Sequence, residues 1–182
     1  GTPEPVEQRQ ALDAALAEAE ILFGWNLPHD VLRRAPRLRW IQSMSAGVDQ
    51  LLGTGIETSH ILVSDASGIH RIPIGEFVLG QMLALAKGFP RLWTQQAQRR
   101  WQRLEPGELY ERTVALVGLG AIGGGVAHLA RAFGMRVVAT RRSAGQREEK
   151  AGDVDVVYPL AELRDMIAQA DFLVLAVPLT AE

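Results

Sequence analysis

The chain has 182 residues, no cysteine, 19 basic and 21 acidic side chains, and a formal net charge of −2. This length allows one large domain or two small ones. The lack of cysteine excludes a disulfide framework and a thiolate metal site, and the near-neutral charge argues against nucleic-acid binding. No apolar stretch reaches the ~20 residues of a membrane span, and the acidic N-terminus is unlike a signal peptide. Composition therefore predicts a soluble, cytoplasmic protein without a metal, a membrane partner or a nucleic-acid partner.

Helix and strand patterns alternate at short spacing in the first third of the chain. An amphipathic helix is predicted over 1–20 and a short helix over 30–34, with strands at 21–23, 38–43 and 61–64. This alternation is typical of a parallel α/β sheet rather than a sandwich.

Two helices are predicted in the middle of the chain. Residues 73–87 carry apolar side chains on nearly every side, so this helix is expected to be buried, most simply between two domains or two subunits. A polar helix is predicted over 91–103, with Trp93 and Trp101 as its apolar anchors, before a Pro-Gly break at 106–107.

A glycine-rich turn joins a buried strand at 113–117 to a helix, and a second strand follows at 136–140. The motif glycines are Gly118, Gly120 and Gly123. In a dinucleotide-binding unit they allow a tight turn, approach of the main chain to a pyrophosphate, and close packing of helix on strand. The alternative is a turn that only packs a helix onto a sheet, but the complete strand–turn–helix–strand context favours the nucleotide site. The pattern leaves the use of Gly124 and Gly125 undecided.

The end of the second strand indicates which cofactor is bound. A site for NAD places a carboxylate there for the ribose hydroxyls, whereas residues 140–143 contain none. The side chains of Arg141, Arg142 and Ser143 match the 2′-phosphate of NADP(H), which predicts NADP(H) in preference to NAD(H). The alternative is that both arginines are solvated surface residues. Arg147, which neighbours other charged residues, is expected to be exposed.

Three further segments, together with Glu108-Leu109-Tyr110 before the nucleotide strand, resemble in order and spacing the family of D-isomer-specific 2-hydroxyacid dehydrogenases. That family includes phosphoglycerate dehydrogenase and glyoxylate/hydroxypyruvate reductase. The segments are IQSMSAGVD at 41–49, GIHRIPIGE at 68–76 and DFLVLAVPLT at 171–180. The resemblance implies an α/β fold of two Rossmann-like or flavodoxin-like, doubly wound parallel-sheet domains, both incomplete: a substrate domain over 1–72 and an NAD(P)-binding domain over 73–182. In the nucleotide domain the strands are expected in the order 3-2-1-4, with the fourth at an open edge.

The resemblance also implies roles for single residues, each of which fits core or turn equally well on local sequence. The backbone N–H groups of Ala46 and Gly47 would bind the substrate carboxylate. The residues expected along the cofactor are Ile74 at the nicotinamide, Ala121 and Ile122 at the pyrophosphate, and Val177 and Pro178 after the fourth strand. Trp25 fits a substrate-pocket role and a packing role.

In the family that the chain resembles, an arginine polarises the keto group and a histidine paired with a carboxylate is the acid. All three are expected after Glu182, so no catalytic residue is assigned in this chain, which is expected to be inactive alone. The chain's own histidines are expected to be structural or surface residues: His29, His60, His70 and His128. The implied parent is a homodimer, joined through 73–87 and 91–103, that reduces a small 2-keto acid with NADPH. The alternatives are a cofactor-sensing binding protein of the same fold and an inactive fragment.

Overall fold

The first compact unit holds a small parallel sheet. The computed structural model describes residues 6–177, which divide into two compact units between Ile69 and His70. The elements of the first unit are α1 (Val6–Glu18), β1 (Ile21–Gly24), α2 (Val31–Arg34), β2 (Trp40–Ser43) and β3 (Leu62–Ser64). The strands lie in the order β1-β2-β3 and all pair in parallel, as the alternating pattern predicts.

The two faces of this sheet differ. Ile41 of β2 is fully buried and belongs to a core cluster with Val31 of α2 and Leu16 of α1. On the opposite face, Ile21 and its register partner Trp40 remain exposed. Alternation of side chains along each strand explains the difference, because successive residues point to opposite faces.

The second unit is built around a larger sheet. Its elements are α3 (Arg71–Ala86), α4 (Phe89–Ala97), β4 (Thr113–Val117), α5 (Ala121–Ala132), β5 (Arg136–Thr140), β6 (Glu148–Ala151), β7 (Val154–Tyr158), α6 (Leu163–Ile167) and β8 (Phe172–Leu175). The strands lie in the order β6-β7-β5-β4-β8. The four parallel strands β7-β5-β4-β8 follow the expected order 3-2-1-4. The predicted α/β class with parallel sheets is confirmed.

Strand β6 is an addition that the sequence analysis did not predict. It pairs antiparallel with β7, with Glu148 opposite Val157 and Ala151 opposite Val154. Its sequence, Glu-Glu-Lys-Ala, consists of residue types that are depleted in strands. The strand forms through backbone pairing of residues 148–151 with β7, not through the strand preference of its side chains.

The central strands are buried on both faces, which explains their continuous apolar sequences. Val114 and Val137 have no exposed surface. At the start of each of these strands a carboxylate accepts a backbone hydrogen bond. Asp171 Oδ2 accepts from the N–H of Thr113 at 2.8 Å, and Asp155 Oδ2 accepts from the N–H of Val137 at 2.8 Å.

Helix α3 is buried along one side by the described residues. Leu79 and Met82 are buried against the nucleotide sheet cluster, whereas Ile72, Phe77 and Leu85 are 66%, 65% and 67% exposed. Residues 6–177 therefore cover only one side of α3, and its expected burial between two domains or two subunits stays a prediction. No single helix within residues 6–177 is long and apolar enough to cross a membrane; α3 and α4, bent by 65° at their junction, meet the length and composition criteria only together.

Helix α4 ends earlier than the predicted helix over 91–103. Arg99 adopts a left-handed conformation with φ of 52°, the N–H of Arg99 donates to the carbonyl of Gln96, and that of Arg100 donates to the carbonyl of Gln95. This is a Schellman motif, which terminates a helix and usually has glycine at the left-handed position. Trp101 consequently lies outside the helix and is 98% exposed, so its predicted role as a helix anchor is wrong.

Candidate dinucleotide-binding site

The carboxyl ends of three strands meet at Gly118. The N–H of Gly118 donates to the carbonyl of Thr140 at the end of β5, at 3.0 Å. Gly118 has φ of +100°, and a methyl group on it would lie 2.4 Å from the carbonyl oxygen of Ala176, just after β8. Only glycine fits this turn, because any side chain would require the left-handed conformation and would collide with the main chain.

The first turn of α5 packs on the glycine turn on one side and leaves space on the other. A methyl group on Gly123 would lie 2.1 Å from the carbonyl oxygen of Gly118, so the first helical turn packs directly on the glycine turn. Among residues 6–177, no atom outside the local backbone lies within 4 Å of the corresponding position on Gly120, the N-cap residue, so these residues leave its side of the turn open.

The free amide groups of this helix provide the binding chemistry. The first hydrogen bond of α5 runs from the N–H of Gly124 to the carbonyl of Gly120, at 2.8 Å. The preceding N–H groups, of Ala121, Ile122 and Gly123, have no partner inside the helix and lie at its positive end. An open glycine turn with unused amide groups fits the pyrophosphate of a dinucleotide.

The end of β8 is in contact with the same turn. The N–H of Ala176 donates to the carbonyl of Val117 at 2.8 Å. A methyl group on Gly118 would lie 2.8 Å from Cγ1 of Val177, which is itself 54% exposed. The structure thus brings Val177 beside Gly118, whereas Pro178 lies outside the described residues.

Ile74, expected at the nicotinamide, lies in the first turn of α3 and is half-buried. Its N–H donates to the carbonyl of His70 at 3.1 Å. The next residue, Gly75, faces α5, since a methyl group there would lie 3.1 Å from Cδ1 of Leu129. Ile74 is therefore carried by the helix that packs against the helix of the glycine turn.

At the end of β5, a carboxylate binds one of the two predicted arginines. Nη2 of Arg141 donates to both carboxylate oxygens of Glu148, at 2.7 and 2.6 Å. Nε of Arg141 is buried and has no hydrogen-bond partner among the described residues. Arg142 and Ser143 are exposed. The sequence pattern does not reveal Glu148, because only the pairing of β6 with β7 brings it back to this strand end.

The side chain of Arg147 is held by two contacts that its sequence neighbours do not indicate. Its Nε donates to the carboxylate of Glu162, and its guanidinium carbon lies 4.7 Å from the centre of the Tyr158 ring. The hydrogen bond that Arg147 donates to Glu162 raises the pKa of the Arg147 guanidinium, with a smaller opposing effect of burial. Arg147 remains half exposed, as predicted, but it binds the carboxylate of Glu162, which follows β7 in the chain.

The predicted substrate turn follows β2 in the first unit. The N–H of Ser45 donates to Oγ of Ser43 at 3.1 Å, and that of Gly47 reaches Oγ of Ser45 at 3.3 Å. The N–H of Ala46 meets no acceptor within residues 6–177. Both Ala46 and Gly47 are half-buried. Trp25, which follows β1, is 55% exposed.

One histidine has an acidic partner that the sequence did not reveal. Nδ1 of His128 on α5 lies 3.1 Å from Oδ2 of Asp153, and both side chains are largely exposed. Asp153 directly precedes β7, so this pair lies at the strand-start edge of the sheet, opposite the glycine turn. His29 and His60 are exposed, and His70 is half-buried. Residues 6–177 contain no group of three or more His, Asp and Glu side chains arranged to hold a metal.

A parallel sheet in the order 3-2-1-4, with an open glycine turn between its first strand and first helix, defines a Rossmann-type dinucleotide-binding domain. Comparison with known families narrows this class. The chain belongs to the D-isomer specific 2-hydroxyacid dehydrogenase family, a family of oxidoreductases, whose NAD binding domain matches residues 79–182.

Two curated relatives illustrate the range of the family. The chain is 29% identical over 177 residues to a D-3-phosphoglycerate dehydrogenase of Methanocaldococcus jannaschii, covering 94% of this chain and 33% of that protein. It is 30% identical over 162 residues to a glyoxylate reductase of Aeropyrum pernix, covering 84% of this chain and 47% of that protein. The chain thus spans between a third and a half of the length of these relatives.

Solved structures agree with this assignment. A D-isomer specific 2-hydroxyacid dehydrogenase family protein of Aeromonas salmonicida aligns with a TM-score of 0.84 and 34% identity, over 94% of this chain and 54% of that one. A probable 2-hydroxyacid dehydrogenase of Rhizobium etli, solved with NADP, aligns with a TM-score of 0.72 and 31% identity, over 91% of this chain and 51% of that one.

Proposed function

We propose that the protein to which this chain belongs transfers a hydride between NADPH and a small 2-keto acid of the glyoxylate or hydroxypyruvate type. The observation that carries the cofactor assignment is the Arg141-Arg142-Ser143 sequence directly after β5, next to a glycine turn with open space at Gly120. The glyoxylate reductase relative and the NADP-bound structural neighbour support the substrate class and the cofactor.

The residues of the second unit would hold the cofactor. The amide groups of Ala121, Ile122 and Gly123 bind the pyrophosphate, which approaches at Gly120, and Arg142 and Ser143 bind the 2′-phosphate through charge-assisted hydrogen bonds. Along the rest of the cofactor we place Ile74, Val177 and Pro178. NADPH supplies the hydride when bound; the protein supplies orientation and charge.

The residues of the first unit would hold the substrate. We place the substrate carboxylate on the N–H groups of Ala46 and Gly47, because a serine-glycine turn offers converging donors to an anion. On this proposal 1–72 is the substrate domain and 73–182 the nucleotide domain. No proton donor is assigned within the chain.

We also propose that two copies of the protein associate through α3 and α4. The exposed apolar side chains of α3, Ile72, Phe77 and Leu85, are a surface that a second copy would cover. Exposed apolar patches of this kind mark interaction sites in many proteins.

The test is steady-state reduction of glyoxylate and of hydroxypyruvate by the intact protein, with NADPH and NADH compared at equal concentrations. We expect kcat/KM to be at least about tenfold higher with NADPH, a difference of about 1.4 kcal/mol in transition-state binding. Arg142→Gln is expected to remove most of this preference and to leave the NADH reaction within about twofold.

Two results would count against the proposal. A higher kcat/KM with NADH would refute the phosphate-binding role of the arginines. Tight nucleotide binding without turnover of either keto acid would favour a cofactor-sensing protein of the same fold.

A further inference from the structure

We infer that Glu148 sets the balance between NADPH and NADH by holding Arg141 in an ion pair that a 2′-phosphate must open. The inference rests on the proposed function, because it concerns the adenosine end of the same cofactor site. It assigns a specificity-determining role to a residue on β6, a strand outside the glycine motif.

The sheet itself places Glu148 at this end of the site. Thr140, the last residue of β5, is paired with Tyr158 of β7, and the neighbouring Val157 is paired with Glu148. Because β6 runs antiparallel to β7, its first residue lies at the edge where the parallel strands end. Arg141 follows β5 at that edge, and Nη2 of its guanidinium meets both Glu148 oxygens at 2.6–2.7 Å.

The two side chains of the ion pair are in direct contact, but water reaches both of them. The side chains of Arg141 and Glu148 are 40% and 36% exposed, and ion pairs that water reaches contribute little net stability. Glu148 therefore does not prevent Arg141 from meeting another anion. It lowers the gain from doing so, because the pair must open, and because a phosphate placed beside Arg141 also meets the negative charge of Glu148.

Arg141 retains donor capacity for such an anion. Its Nε is buried and has no hydrogen-bond partner among the described residues, whereas Glu148 engages Nη2. Buried polar groups are normally satisfied, so an unsatisfied one indicates a missing partner. Once the pair with Glu148 opens, an oxygen of the cofactor's ribose or 2′-phosphate has the chemistry to fill that place.

The same carboxylate suits the other cofactor. NADH carries a free 2′-hydroxyl, which donates to a carboxylate in NAD-binding sites. In this chain the expected carboxylate is absent from 140–143, and Glu148 is the acidic side chain that the fold brings to Arg141. With the pair closed, the site favours a hydroxyl; with the pair open, it favours a phosphate.

The test uses two small probes that report on the adenosine end alone: 2′,5′-ADP, which carries the 2′-phosphate, and 5′-AMP, which lacks it. Both are titrated calorimetrically into the intact protein and its variants, and the unfolding midpoint of each variant is recorded. Glu148→Gln is expected to bind 2′,5′-ADP about five- to tenfold more tightly, with 5′-AMP within about twofold of the parent value. Glu149→Gln, on the same strand and with the same change of charge, is expected to shift neither probe by more than about twofold.

A double-mutant cycle tests whether Glu148 affects 2′,5′-ADP binding through its ion pair with Arg141. Arg141→Gln is expected to weaken 2′,5′-ADP binding only slightly when Glu148 is present, and to abolish the gain in the Glu148→Gln background. Equal changes in 2′,5′-ADP affinity for Glu148→Gln and Glu149→Gln would refute the inference. The same loss of affinity from Arg141→Gln with and without Glu148 would also refute it. In each of those cases the nucleotides still bind and the proposed function stands. Failure of both probes to bind the parent protein would overturn both proposals.

Discussion

Gly125 of α5 lies directly against Arg71 of α3. A methyl group on Gly125 would be 2.7 Å from Cγ of Arg71 and 2.9 Å from its carbonyl oxygen. From the other helix, a methyl group on Gly75 would be 3.7 Å from the carbonyl carbon of Gly125. The absence of side chains at these positions lets the two helices approach closely, which gives Gly125 the role that the sequence pattern left undecided. A methyl group on its neighbour Gly124 would meet no atom within 4 Å in the described ranges of the chain.

Gly125→Ala is therefore expected to destabilise the fold, and Gly124→Ala to stabilise it. The added methyl at Gly125 must push α3 away, which costs about 1–3 kcal/mol by the usual scale of overpacking. The same methyl at Gly124 meets open space and gains about 0.5–1 kcal/mol from the restricted unfolded chain. Chemical denaturation of both variants measures the difference. Equal stability of the two variants would show that the contact with Arg71 is not tight.

Alanine at two positions of the glycine turn is expected to separate folding from binding. In Gly123→Ala the methyl meets the carbonyl oxygen of Gly118 at 2.1 Å, so the turn must rearrange and the unfolding temperature must fall. In Gly120→Ala the methyl meets no atom of the part of the chain that the structure describes, and the unfolding temperature is expected to stay near that of the parent. The same methyl occupies the space where a pyrophosphate approaches, so nucleotide affinity is expected to fall at least about tenfold.

The measurements are a thermal unfolding curve and a calorimetric titration with 5′-AMP and NADPH for each variant. Unchanged NADPH affinity in a folded Gly120→Ala protein would mean that the phosphates lie elsewhere.

The nucleotide half of the fold follows from its sequence because its signals are local. The apolar strand at 113–117, the glycine turn and the helix after it are contiguous, and each occurs where the pattern predicts it. Continuous apolar strands also predict a sheet covered on both faces, as Val114 and Val137 show.

The features that the sequence did not reveal depend on contacts between distant residues or on unusual backbone. Glu148 reaches Arg141 only because β6 pairs antiparallel with β7, and its polar sequence carries no strand signal. Helix α4 ends at Ala97 because Arg99 turns the chain, and arginine has no preference for the left-handed conformation, so nothing in the sequence marks the end. His128 meets Asp153 across the helix–sheet boundary, at a distance in sequence that no local pattern covers.

Asp155→Ala is expected to destabilise the protein by about 1–3 kcal/mol, the cost of leaving a buried donor unsatisfied. One oxygen of Asp155 accepts from the N–H of the buried Val137 at 2.8 Å, and the other binds Nη1 of Arg131 at 2.8 Å. Asp155→Asn keeps an acceptor oxygen and is expected to recover part of the loss. Asp153→Ala, which removes only the exposed partner of His128, is the control and is expected to change stability by less than about 0.5 kcal/mol. Urea denaturation checks all three, and equal losses for Asp153→Ala and Asp155→Ala would contradict the strand-capping role.

Phe77→Glu is expected to dissociate the dimer proposed through α3. Phe77 is 65% exposed on the uncovered side of the helix, so the substitution places a charge on the surface without disturbing the core around Leu79. Burying that charge against a second copy is costly, and the dimer dissociation constant is expected to rise at least about tenfold. Light scattering after size exclusion, over a range of concentrations of the intact protein, measures the shift. Leu52→Glu, at an equally exposed apolar residue of the first unit, is the matched control and is expected to leave the mass unchanged. A Phe77→Glu protein that keeps the mass of the parent at every concentration would remove α3 from the interface.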